Sequence, residues 1–78
     1  MATQEFSDLF LSAFLKLRGW RVASVRKVDK RLYFMFEIPE DKELLELPKR
    51  FYSGDEVCKV SKFIEALKSL RAMSYNLK

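Results

Sequence analysis

Phe6, Leu9, Phe10, Ala13, Phe14 and Leu17 recur at spacings of three and four. That is the period of a helix, and it predicts one over about residues 7–18 with an apolar face. Ser7 is placed to cap it, Asp8 in the first turn and Lys16 and Arg18 in the last complement its dipole, and Gly19 stops it. Leu11 and Leu15 form a second apolar line outside the main stripe. A helix apolar on more than one face buries more than one contact. This line is therefore a candidate subunit interface, or it is covered by another helix of the same chain.

From Trp20 the period changes. Residues 20–28 are rich in β-branched side chains, but Val22, Val25 and Val28 are out of strict alternation, which predicts a strand with a bulge near Ser24. Residues 31–38 alternate cleanly: Leu32, Phe34, Phe36 and Ile38 point one way, and Arg31, Tyr33, Met35 and Glu37 the other. Asp29 and Lys30 between the runs are few enough for a hairpin turn, although neither is Gly. A two-stranded hairpin is marginal by itself, so helices must cover one face.

Pro39 ends the second strand, and residues 40–47 read as a short helix with acids at its start and Leu44, Leu45 and Leu47 for packing. Pro48 then introduces a break and a turn over residues 49–52, closed by Ser53 and Gly54. A last helix covers about residues 60–75, with Val60, Phe63, Ile64, Leu67, Leu70 and Ser74 on its buried side. The pattern predicts an α+β fold in the order α-β-β-α-α, an antiparallel hairpin packed on helices. No linker or internal repeat divides it, so residues 1–78 form a single domain.

Size and composition sharpen this picture. A chain of 78 residues with 49% hydrophobic residues and eleven aromatics is a packed globule rather than a disordered segment. At this length one core supplies only a few kcal/mol, and disulfides, a metal or a partner often assist. One cysteine, Cys58, closes no internal disulfide, and the absence of histidine excludes a His/Cys zinc site. Self-association, most simply a homodimer, is the remaining support. The lone cysteine and a start without a basic, apolar leader point to the cytoplasm. Apolar runs fall well short of the ~18 residues that cross a bilayer, so no membrane role is expected.

The formal charge of +4 is unevenly spread. Residues 16–31 carry seven basic side chains against one acid, residues 37–46 five acids against one base, and the stretch from Lys59 onward is basic again. With a pI near 9.4 this is the electrostatic footprint of a nucleic-acid binder, or simply a solvated surface. Catalysis is poorly supplied. Without His the commonest general base and the Ser-His-Asp and Cys-His arrangements are missing, so the chain is not expected to be an enzyme. Cys58 follows the acid Glu56 and reads as a small, buried or half-buried hydrophobe. Glu40, Asp41, Glu43 and Glu46 match no calcium loop, and no metal or other cofactor is implied.

Nucleic-acid binding is better supplied. Trp20, Arg21, Arg26, Lys27, Lys30, Arg31 and Tyr33 put cations and aromatic rings along one hairpin, the combination that holds single strands. On the last helix Lys68, Arg71, Tyr75 and Lys78 lie three and four apart and form one ridge, suited to a phosphate backbone or to ordinary solvation.

Ser7-Asp8-Leu9 opening a helix that ends in Leu17-Arg18-Gly19, Phe34-Met35-Phe36, Phe51-Tyr52-Ser53-Gly54, Val57 and residues 63–71 form a further pattern. In these features the chain resembles a family of small prokaryotic and phage domains of unknown function. Pro48 and the leucines before it depart from that pattern. The resemblance implies a cytoplasmic accessory domain and carries over no catalytic residue. Two functions follow as expectations. One is a small dimeric protein that binds single-stranded DNA or RNA. The other is an adaptor or inhibitor that binds a protein, such as a phage-borne modulator of a host or nucleic-acid-processing enzyme, using Leu11, Leu15 and the acidic segment.

Overall fold

In the computed structural model, which describes residues 2–54 and 58–75, seven elements build a mixed α+β domain. They are β1 (Thr3–Phe6), α1 (Leu9–Leu17), β2 (Arg21–Val28), β3 (Arg31–Glu37), α2 (Lys42–Leu45), α3 (Leu47–Ser53) and α4 (Val60–Tyr75). The sheet is antiparallel throughout, with β3 in the middle and the order β1-β3-β2.

The hairpin forms at the expected place. Asp29 and Lys30 both take positive φ, 48° and 71°, as a type I′ turn requires, and Val28 faces Arg31 directly across it. Turn geometry thus overrides the want of a glycine. The register slips between Val22 and Ser24, leaving Ala23 as an extra residue. That bulge puts Val22 opposite Phe36 and Val25 opposite Phe34, so two valines three residues apart share the inner face. Val28 falls on the outer face and is exposed.

Two elements depart from the pattern-based reading. Residues 3–6 form an edge strand rather than lead-in to the helix. Phe6, counted by spacing into the helical stripe, belongs to β1, where it faces Phe34 and meets Trp20 and Phe36 edge-on at 5.9 Å. Four residues are too few for alternation to declare a strand; the unpaired edge of β3 recruits them. The turn after Pro48 is the helix α3, with Pro48 in its first turn and Gly54 closing it at φ 79°.

α1 begins two residues later than spacing suggests, and Asp8, not Ser7, caps it by accepting from the Leu11 amide at 3.1 Å. Leu11 and Leu15 are corrected as interface residues: they are 1% and 0% exposed, buried within the chain's own core, where α1 packs against α4, α3 and β1. Phe10, assigned to the buried stripe, is 56% exposed instead. On α4 the buried residues are Ala66 and Leu70, while Val60 and Ile64 are exposed. Cys58 is exposed too, against the expectation of burial.

The core joins the inner face of the sheet to α1, α3 and α4. Its centre is Leu11, Phe14, Leu15, Phe34, Phe36 and Leu70, flanked by Trp20 and Leu47. Among the described residues no helix is long and apolar enough to cross a membrane.

Candidate nucleic-acid interface

The pleat and the bulge sort the hairpin's side chains onto two faces. Arg21, Arg26, Arg31 and Tyr33 occupy the outer face with Glu5 and Glu37, whereas Lys27 pairs with Leu32 and lies on the inner side. One continuous basic and aromatic strip along the hairpin, as the sequence suggests, is therefore not formed.

Trp20 leaves the interface altogether. It is 3% exposed, lies edge-on to Phe36 at 6.1 Å, and donates its indole N–H to the Leu44 carbonyl at 2.9 Å. A ring held this way has no free face for a base, and its expected stacking role is corrected to a core role. Its position just past Gly19, at the junction of helix and strand, drives it inward.

On the outer face Arg26 reaches across β3 to Glu5. Its Nη2 and Nε donate to the two carboxylate oxygens at 2.8 and 3.2 Å, and its guanidinium lies 5.3 Å from the Tyr33 ring centroid. The fork neutralises this cation and covers one face of Tyr33. β1, the strand unreadable from pattern, supplies the acid.

Three other basic residues converge elsewhere. Lys27, Lys30 and Leu32 at the tip of the hairpin, and Arg71, Ser74 and Tyr75 on the last turns of α4, line a cleft of about 520 Å³. Nearly 40 residues separate the two groups in sequence. Among the described residues no acid lines the cleft, and none of the three cations pairs with a described carboxylate. Tyr75 is 85% exposed, so its ring is open to a ligand. The Ser74 hydroxyl is turned back onto the Arg71 carbonyl at 2.7 Å.

Lys68 lies one turn earlier on α4 and is exposed, outside the cleft lining, while Lys78 falls outside the described residues, as do Glu56 and Val57. Within the acidic segment Asp41 caps α2 by accepting from the Glu43 amide at 2.8 Å. Among the described residues no group of acidic or cysteine side chains is arranged to hold a metal.

A further polar contact pins α3 to the start of α1. The Tyr52 hydroxyl donates to Asp8 Oδ2 at 3.0 Å, while Oδ1 of the same carboxylate caps the helix. That hydrogen bond, with slight burial and the nearby negative charge, raises the phenol's pKa. The sequence marked neither partner for this pairing, because 44 residues separate them.

Compared with known proteins, residues 1–76 match the model of a family described as Domain of unknown function (DUF5659), in keeping with the resemblance to a family of that kind. No curated protein and no solved structure matches the chain.

Proposed function

We propose that this chain, which belongs to the family of domains of unknown function DUF5659, is a non-enzymatic accessory protein that binds single-stranded nucleic acid in the cleft between the hairpin tip and α4. One observation carries the reading: Lys27, Lys30 and Arg71 meet beside the open ring of Tyr75 with no acid among the described lining residues. Unpaired cations attract phosphates, and an exposed aromatic face stacks on any base, so this pairing of groups suits single strands without sequence preference. A duplex hides its internal base faces and leaves Tyr75 only the end pairs to stack on.

The test is fluorescence anisotropy of labelled single- and double-stranded oligonucleotides titrated with protein at 50 and 200 mM salt. Three phosphate-neutralising cations set a log–log salt slope of about −2, so affinity falls roughly 15- to 20-fold across that range. Lys27→Glu with Arg71→Glu abolishes binding. Absence of binding at low salt, or binding indifferent to salt, refutes the proposal.

The protein-binding reading draws on another surface. Phe10 stacks on Phe63 at 6.3 Å and 7°, and with Val60 and Ile64 leaves an apolar patch where α1 meets α4. This patch replaces Leu11 and Leu15 as the surface for a homodimer or protein partner. Mass by light scattering, with and without Ile64→Glu, tests it: a mass that stays monomeric in both removes the dimer.

A further inference from the structure

Resting on the reading above, we infer that the cleft grips the phosphorylated end of a strand, one terminal nucleotide at a time, rather than tracking along the strand's interior. A groove that tracks a strand presents successive stacking rings and a line of cations over several nucleotides. This chain does not offer that path. Trp20 is in the core, Tyr33 has a face covered by Arg26, and Arg26 is held by Glu5. Among the described residues beside the cleft, only Tyr75 presents an open ring, enough for one base.

The charge points the same way. An internal phosphodiester carries one negative charge, whereas a terminal phosphomonoester carries about −1.5 to −2 at neutral pH. Lys27, Lys30 and Arg71 supply three positive charges. The C-terminal end of α4 subtracts roughly half a charge through its carbonyls. One phosphodiester answers well under half of that field, whereas a monoester answers roughly 60–80% of it.

The probe is an eight-nucleotide oligothymidylate, labelled at the end distant from the one tested, with that end carrying either a phosphate or a hydroxyl. Both the 5′ and the 3′ end are examined, and unlabelled thymidine monophosphate serves as competitor. We expect the phosphate form of one end to bind about 10-fold more tightly than its hydroxyl form, since the added charge sits among three cations. Arg71→Ala and Lys27→Ala, both at exposed positions, each reduce that ratio toward one. Equal binding of both forms at both ends overturns the end preference and leaves single-strand binding intact. Competition by the mononucleotide at concentrations matching the oligonucleotide overturns it as well, making the site one for free nucleotides. Failure of every oligonucleotide to bind at low salt overturns both this inference and the proposed function.

Discussion

Replacing Trp20 by Phe separates a core role from a stacking role at one position. The ring is 3% exposed and packed edge-on against Phe6 and Phe36, and its N–H is bonded to the Leu44 carbonyl. Phe keeps one six-membered ring and loses the N–H. The lost hydrogen bond costs about 1 kcal/mol. The lost transfer energy and the small cavity add roughly 1–2 kcal/mol. The sum, about 2–3 kcal/mol, is a large share of the roughly 4–12 kcal/mol expected for a domain of 78 residues, so the variant folds with a much reduced margin. Urea unfolding followed by far-UV circular dichroism reads this directly. With a slope near ~1 kcal/mol/M the midpoint falls by about 2–3 M, and Tm drops by roughly 10–20 °C. Oligonucleotide affinity, measured where both proteins are folded, stays within about twofold, because the indole touches no ligand in this arrangement. An unchanged urea midpoint accompanied by lost binding refutes the reasoning and returns Trp20 to the interface.

Ser12 is fully buried and its hydroxyl has no hydrogen-bond partner among the described residues, so Ser12→Ala raises stability by about 1 kcal/mol in the same titration; a loss contradicts the packing described. Lys30 holds φ 71°, and Lys30→Gly relieves about 1 kcal/mol of backbone strain while removing one cation from the cleft. Stability therefore rises as oligonucleotide affinity falls and the salt slope flattens by about 0.7. The Glu5–Arg26 pair is partly exposed, and a double-mutant cycle with Glu5→Gln and Arg26→Gln returns a coupling of only about 0.5 kcal/mol; a coupling above about 2 kcal/mol shows the fork to be far better shielded than its exposure allows. Tyr52 has a phenol pKa raised above 10.0, chiefly by its hydrogen bond to Asp8. The folded state holds this proton more tightly than the unfolded state, so the stabilisation is complete below pH 10 and is lost as pH rises through the raised value. The gap in urea midpoint between the parent and Tyr52→Phe accordingly closes on going from pH 7 to strongly alkaline pH, and a pH-independent gap rules out the contact as its source.

Elements built from long periodic runs are legible in this chain by itself. The alternation from Arg31 to Glu37, the three-and-four spacing of α1 and α4, and the slip among Val22, Val25 and Val28 each follow from local geometry, because period and pleat act over neighbouring residues. The basic character of the hairpin was legible as well. Which basic residues lie together is not. The bulge at Ala23 and the pleat divide them between faces, Glu5 neutralises Arg26 from a four-residue strand that exists only because β3 has a free edge, and α4 returns Arg71 and Tyr75 to Lys27 and Lys30 across more than 40 residues. Burial was decided at the same level. Leu11, Leu15 and Trp20 are apolar or amphipathic side chains that suit a surface patch or a core equally by composition. The closing of α3 and α4 over α1, and of α2 over the indole N–H, put all three inside. Hydrophobic spacing encodes how much of an element must be covered, whereas the identity of the cover depends on contacts distant in sequence, and only the folded chain sets those.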